Sequence, residues 1–274
     1  MSYKQQREAP FDYSIYEKRF PLLSEEHPKQ DSISVIFQYL VKTKLRHKKI
    51  GTATHYQTAY NAFKRFRGTV TFRQVTVSYL KDFKYYLLEK KASLNTIGMY
   101  TRNMRTAFNE SIEQGLIKRD RYPFGRRRFV IPASFAKKPV ISQNYIPLII
   151  NYQTDDIRKI RARDFWMFLY QANGMNVKDL CYLRYKDIKG YYFSFVRAKV
   201  EATSYNKAKE VSVFITEDMW QTIRKYGNRI EGPETFIFPF LTDDMNPIQA
   251  DDRVETIIYQ INKWMKVCVR GAKY

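Results

Sequence analysis

Residues that bind metals or form disulfides are scarce in this sequence. It has two cysteines, Cys181 and Cys268, and three histidines, His27, His47 and His55, among 274 residues. Both cysteines lie in mostly apolar, helix-like surroundings without metal-ligand spacing. We therefore expect two reduced structural thiols rather than a disulfide framework or a zinc site.

Long hydrophobic runs are missing as well. The N-terminus has no apolar signal core, and no run approaches the roughly 20 residues that span a membrane. We therefore expect a cytoplasmic protein with no membrane partner. A hydrophobic content of 44% and an aromatic content of 16% nevertheless indicate a folded chain.

Acidic residues are too few to balance the basic ones. The chain has 48 Lys and Arg against 27 Asp and Glu, a formal net charge of +21. Residues 1–140 hold 28 basic and 11 acidic residues, whereas residues 141–274 hold 20 and 16. A polyanion is therefore the first partner to consider, and nucleic acid is the commonest one. The asymmetry also favours two domains with different roles.

The first half is predicted to form a helical bundle. Residues 1–30 are polar and interrupted by prolines, which leaves open whether this lead-in is ordered. Amphipathic patterns then begin at Asp31 or Ser32, at about 53–67, after Thr76 and from Asn95. Four such helices with short connections are typical of a compact bundle, here over residues 31–117.

Basic residues of this half concentrate at helix ends, on polar faces and in a proline-containing connector, residues 118–140. Each could be an ordinary solvated charge, but together they outnumber the available acidic partners. We expect them to contact phosphates, which sets affinity and register rather than sequence choice. The predicted contacts are Lys42, Lys44, Arg46, Lys48, Lys49, Lys64, Arg65, Arg67, Arg102, Arg105, Arg126, Arg127 and Arg128.

The second half, residues 141–274, is predicted to be mostly helical with a small antiparallel sheet. Helical patterns cover about 143–153, 156–172 and 177–184, and the second ends at an Asn173-Gly174 turn. Alternating residues at 191–196 and 211–215 predict a hairpin. Further helices are expected at 217–226 and about 251–269.

Three local motifs, in this order, resemble the tyrosine recombinases, the phage and transposon integrase superfamily, most of all integrases of Bacteroides-type mobile elements. They are Ser93-Leu94-Asn95-Thr96-Ile97 followed by Tyr122-Pro123-Phe124, the Asn173-Gly174-Met175-Asn176 turn, and Arg197-Ala198-Lys199. The resemblance implies a mainly α fold. A four-helix, SAM-like core-binding domain would occupy residues 31–117, and a basic linker residues 118–140. A catalytic domain, incomplete at its C-terminus, would occupy residues 141–274.

The resemblance also implies a reaction on double-stranded DNA. In this family a tyrosine hydroxyl attacks a scissile phosphate and forms a 3′-phosphotyrosyl link. Two arginines and a lysine neutralise the transition state, and the lysine can protonate the leaving 5′ oxygen. No metal or other cofactor is needed, in agreement with the lack of an Asp/His/Cys cluster here.

Carried over residue by residue, the likeness places Asn176 where the family has its first arginine. Asp179 would be the acidic residue that supports the site, although Asn176 could also be no more than a turn residue. Lys178 or Arg184 could supply the missing charge. Lys199 would be the hairpin lysine, with Lys207 and Lys209 as competing candidates.

The family's His-x-x-Arg motif has no counterpart, because all three histidines lie in the first half. Tyr274 is not expected to be the nucleophile, since no such motif precedes it. We therefore predict an integrase-like chain that binds duplex DNA without cleaving it; self-association on DNA stays open. One alternative is a fragment of an active recombinase whose remaining catalytic residues lie beyond Tyr274. Another is a helical DNA- or RNA-binding regulator without recombinase ancestry.

Overall fold

The chain divides into two compact units, Met1–Lys137 and Lys138–Tyr274. The computed structural model describes residues 11–26, 31–133, 144–197 and 210–271. Within these ranges the fold is mainly helical, with one three-stranded antiparallel sheet in the second unit. The predicted fold class is confirmed.

The first unit is a helical bundle in which three helices begin at side-chain caps. Its helices are α1 (Ser14–Glu17), α2 (Ile33–Arg46), α3 (Ile50–Arg67), α4 (Val77–Glu89) and α5 (Leu94–Glu113). Ser32, Thr76 and Ser93 precede α2, α4 and α5, and each side chain accepts a hydrogen bond from a backbone N–H of the first turn. Such caps satisfy donors that have no partner inside the helix.

The described part of the lead-in, residues 11–26, packs into this bundle. Phe20 and Leu22 are fully buried. The backbone N–H of Leu22 donates to Gln57 Oε1 at 3.2 Å, and Gln38 Nε2 donates to the carbonyls of Leu22 and Leu23 at 3.0 Å. This stretch is therefore part of the folded unit and not a disordered tail.

The first part of the predicted linker also folds onto the bundle. Phe124 and Phe129 are buried, and the Phe129 N–H donates to the carbonyl of Pro123 at 2.9 Å, which closes the loop. Beyond this loop the backbone of Pro132 crosses α5 at Gly98. A Cβ atom at position 98 would clash with the Pro132 carbonyl oxygen.

Gly98→Ala is therefore expected to destabilise the first unit. Alanine favours a helix by up to about 1 kcal/mol over glycine. Overpacking against a backbone atom costs more, typically about 1–3 kcal/mol. Urea unfolding followed by circular dichroism measures the difference. Gly51→Ala in α3 is the matched control, because nothing lies within 4 Å of its added Cβ. Equal stability of the two variants would contradict the close approach at Gly98.

The second unit surrounds a separate hydrophobic core. Its elements are α6 (Tyr145–Ile150), α7 (Ile157–Gln171), α8 (Val177–Tyr182), β1 (Ile188–Lys189), β2 (Tyr192–Val196), β3 (Glu210–Phe214), α9 (Glu217–Tyr226) and α10 (Pro247–Gly271). The strands are ordered β1-β2-β3, and Phe193 pairs with Val213 in the β2–β3 register. Phe193 and Phe168 of α7 stack at 6.0 Å, so the sheet packs on the helices through its inner side chains.

The last helix begins earlier than the sequence pattern predicted. Asn246 Oδ1 accepts from the N–H of Gln249 at 3.0 Å, and Gln249 Oε1 accepts from the N–H of Asn246 at 2.9 Å. This reciprocal capping box starts α10 at Pro247, not near residue 251. Proline suits that first position because its missing N–H would have no helical partner.

Both cysteines are buried free thiols, as expected. Burial raises the pKa of the Cys181 thiol to about 12, so this cysteine stays protonated and unreactive. No helix in the described ranges has both the length and the apolar character needed to cross a membrane.

Candidate nucleic-acid interface

Five of the predicted phosphate contacts meet at the corner between α2 and α3, residues 42–49. Lys44 and Lys48 have no side-chain partner among the described residues, and Lys48 is exposed. Lys42 and Arg46 both lie against the ring of Tyr13, at 5.7 and 5.9 Å. Lys49 ends the corner and precedes α3. The structure thus gathers five cations within one short surface segment.

The basic cluster at the other end of α3 is partly neutralised. Lys64 Nζ lies 2.9 Å from Glu25, and Arg67 lies 3.0 Å from Asp82. Arg65 Nε donates to the carbonyl of Asn61 at 3.2 Å. An α-helix of 18 residues is roughly 27 Å long, so this cluster is well separated from the 42–49 corner. Exposed ion pairs are weak, about 0–1 kcal/mol, and a phosphate could replace either carboxylate.

Arg102 and Arg105 lie one turn apart on the exposed face of α5. Between them, Asn103 Nδ2 donates to the carbonyl of His55 at 3.0 Å. This contact places the arginines beside the first half of α3, the half that begins at the 42–49 corner. These two groups are therefore candidates for one continuous surface.

Arg126, Arg127 and Arg128 form the exposed tip of the loop anchored by Phe124 and Phe129. Arg128 Nη1 donates to the carbonyl of Asp120 at 3.1 Å and also to that of Tyr122. Arg128 is thereby held by backbone acceptors, whereas the side chains of Arg126 and Arg127 form no hydrogen bond or ion pair with the described residues. The predicted arginine run is a structured loop in its described part.

In the second unit the Asn173-Gly174 turn is as tight as its sequence predicts. Asn173 and Gly174 have positive φ angles of 54° and 69°. The N–H groups of Gly174 and Met175 donate to the carbonyl of Leu169 at 3.0 and 3.2 Å, which closes the end of α7. Met175 is buried beneath the turn.

Asn176 is the exposed N-cap residue of α8, but its side chain does not cap the helix. Its amide makes no hydrogen bond to any residue that the structure describes, so it can donate to an external acceptor. Asp179 lies in the first turn of α8 and is buried. The structure thus has an exposed amide and a buried carboxylate three residues apart at the start of α8.

Lys178 and Arg184, the two cations near Asn176 that the sequence suggested as sources of charge, both face carboxylates. Lys178 Nζ lies 3.8 Å from Asp251 in α10. Arg184 lies over the ring of Phe236 at 3.8 Å and is 2.7 Å from Asp243. Arg184 therefore fastens the segment after α8 to the loop before α10.

Arg197 opens the third sequence motif but was not predicted to be a site residue. It follows β2, and its Nη2 lies 3.5 Å from the carbonyl oxygen of Asn173, at the outer limit of a hydrogen bond. The motif that ends in Lys199 thus begins beside the Asn173-Gly174 turn. Lys199, Lys207, Lys209 and Tyr274 lie outside the described residues. No group of His, Cys, Asp or Glu that could hold a metal occurs among the residues that the structure describes.

The chain is similar to known proteins in its first unit and in its fold. Residues 32–129 match the phage integrase SAM-like domain family. No curated protein sequence matches the chain significantly.

Among solved structures, a lambda integrase tetramer bound to a Holliday junction is similar, with 14% identity and a TM-score of 0.56. The match covers 97% of this chain and 72% of that one. A lambda integrase dimer bound to a core site has 14% identity and a TM-score of 0.57, with coverages of 89% and 82%. The Tn1549 transposon integrase in complex with a circular intermediate DNA has 18% identity and a TM-score of 0.56, with coverages of 84% and 79%. Residues 32–129 therefore match a phage integrase SAM-like domain, and the fold of the chain is similar to that of these integrases.

Proposed function

We propose that this chain is a DNA-binding member of the tyrosine recombinase family. The observation that carries the proposal is the cationic surface of the SAM-like domain. Residues 1–140 carry 28 basic against 11 acidic residues, and the cations of the 42–49 corner and of α5 share one half of the bundle. Phosphates of duplex DNA are the counterions that such a surface recruits. A DNA partner also suits the cytoplasmic placement expected from the sequence.

Binding of a labelled duplex, followed by fluorescence anisotropy, tests this function. Duplex DNA is expected to bind, and structured RNA is expected to compete poorly. Preferential binding of the RNA would instead favour the helical regulator without recombinase ancestry. Lambda integrase is seen as a dimer and as a tetramer on DNA, so we also propose self-association on the duplex. Mass measurements of the complex at several protein-to-DNA ratios would detect it.

We further propose that these 274 residues hold DNA without cleaving it. Asn176 stands where the family has its first arginine, and an amide can donate a hydrogen bond but brings no charge. A nicked suicide substrate traps any covalent protein–DNA product. We expect none, and its appearance would contradict the proposal. The alternative of an active recombinase predicts such a product for a longer polypeptide with a His-x-x-Arg motif and a tyrosine after Tyr274.

Asn176→Arg is expected to tighten duplex binding. A charge-assisted hydrogen bond to a phosphate is worth roughly 1.5–3 kcal/mol, or about a tenfold to a hundredfold gain in affinity. Anisotropy titration at fixed salt measures it. Arg224→Ala on α9, where Arg224 pairs with Glu217, is a control that should leave affinity almost unchanged. An unaltered affinity of Asn176→Arg would mean that the turn does not face a phosphate.

A further inference from the structure

A small cavity of about 220 Å³ in the first unit is lined by three arginines, Arg73, Arg121 and Arg128. It lies between the segment that leads into α4 and the loop that follows α5. Pockets for drug-sized ligands usually measure about 300–1,000 Å³, so this cavity suits a smaller group. We refer to it as the arginine pocket.

Both walls of the arginine pocket are anchored in the hydrophobic core. Phe72, next to Arg73, meets Phe108 at a ring-centroid distance of 4.9 Å. Phe124, in the loop that carries Arg121 and Arg128, meets the same ring at 5.9 Å. One buried side chain of α5 therefore sets the spacing of the two segments, and with it the spacing of the arginines.

The pocket has a strong excess of positive charge. Residues 72–77 and 121–128 contain no Asp or Glu. Arg73 and Arg121 form no ion pair or side-chain hydrogen bond with the residues described in this structure. Asp120 precedes the second segment, but it is its backbone carbonyl that accepts from Arg128. All three arginines are exposed, and an anion between their guanidinium groups would lower the repulsion among them.

The start of α4 adds to this charge. Thr76, the N-cap of α4, and Val77, its first residue, also line the cavity. The first N–H groups of a helix lack partners within the helix and carry partial positive charge. The Thr76 side chain accepts from the Tyr79 N–H at 3.2 Å, which leaves the earlier donors of this 13-residue helix for another acceptor.

We propose that the arginine pocket binds a phosphate group. Guanidinium forks match phosphate oxygens in pairs, and the helix start supplies further donors of the right polarity. The phosphate belongs either to the backbone of bound DNA or to a free phosphate anion. The DNA source rests on the function proposed above, whereas the free anion does not.

Two measurements on the full chain separate these sources. The first is thermal unfolding, followed by circular dichroism, with increasing inorganic phosphate at constant ionic strength. The second is the salt dependence of duplex binding. The variants are the double substitution Arg73→Gln with Arg121→Gln, and the same pair changed to Lys. Arg119→Gln is the matched control, because this exposed arginine lies beside Arg121 but does not line the cavity.

A pocket for a backbone phosphate predicts that the Gln pair weakens duplex binding about tenfold to a hundredfold and lowers the salt slope by about one unit. A pocket for free phosphate predicts that phosphate raises the melting temperature of the wild type and not of the Gln pair, with DNA affinity unchanged. The Lys pair keeps the charge and should retain part of either effect. If phosphate stabilises the wild type and the Gln pair equally, and both bind DNA with the same affinity, the proposal that the pocket binds phosphate is wrong. If the wild type does not bind duplex DNA, the proposed function is refuted instead.

Discussion

Raising the salt concentration from about 50 to about 200 mM is expected to weaken duplex binding by roughly 10³–10⁵-fold. Such a loss is typical of proteins that contact 6–10 phosphates, because each contact releases condensed counterions and adds about 0.9 to the slope of log K against log salt. The cationic excess of residues 1–140 supplies enough side chains for that number of contacts. Anisotropy titrations at several salt concentrations give the slope directly.

The slope also distinguishes unpaired from paired cations. Lys44 and Lys48 have no side-chain partner among the described residues. Lys64 forms an ion pair with Glu25, and Arg67 forms one with Asp82. Replacing Lys44 and Lys48 by alanine should lower the slope by about two units. Replacing Lys64 and Arg67 removes charges that are already matched, so we expect a smaller change. A wild-type slope below about two would show that the cationic surface does not carry the binding.

The local parts of this fold could be predicted from the sequence. Caps at Ser32, Thr76 and Thr216 depend on hydrogen bonds within three residues, and the structure contains all three. The β2–β3 hairpin was predictable because its alternating residues face one core. The start of α10 was also readable in Asn246-Pro247-Ile248-Gln249, a capping box followed by the helix, but the apolar pattern alone suggested a later start.

Long-range pairings could not be predicted in this way. The burial of Phe20 and Leu22 depends on α2 and α3, because short helical turns have no periodicity of their own. Similarly, Lys64 is neutralised by a carboxylate 39 residues away, and Arg184 by one 59 residues away. Composition alone counts these cations as available for DNA binding. The fold determines which of them are already paired with carboxylates.

At the candidate site, too, local features could be predicted from the sequence and long-range contacts could not. Asn173 and Gly174 form the predicted turn because positive φ angles suit these residues. The approach of Arg197 to the Asn173 carbonyl depends on where β2 ends relative to α7, and no local pattern encodes that. Likewise, Arg73 is an isolated arginine in the sequence, and only the packing on Phe108 brings it to the same cavity as Arg121.

Phe108→Ala is expected to lower the free energy of unfolding of the first unit by about 3–5 kcal/mol. The Phe108 side chain is fully buried. Its ring meets Phe72 at 4.9 Å, Phe124 at 5.9 Å and Tyr122 at 6.3 Å. Removing it takes away the transfer free energy of the ring and leaves a cavity that three aromatic neighbours cannot fill. Tyr85→Ala on α4 is the control, because that ring is largely exposed and its loss should cost less than about 0.5 kcal/mol.

The positions of the tryptophans allow the destabilisation by Phe108→Ala to be assigned to one unit. Trp166, Trp220 and Trp264 all belong to the second unit, so their fluorescence reports its unfolding, while circular dichroism reports the helices of both. For Phe108→Ala we expect the circular dichroism transition to split or broaden toward lower urea, with the tryptophan transition shifted much less. Because two-state analysis fails for units that unfold separately, the two transitions should be fitted individually. An equal shift of both would show that the units unfold as one, and a loss below about 1 kcal/mol would show that Phe108 does not hold the two arginine-bearing segments together.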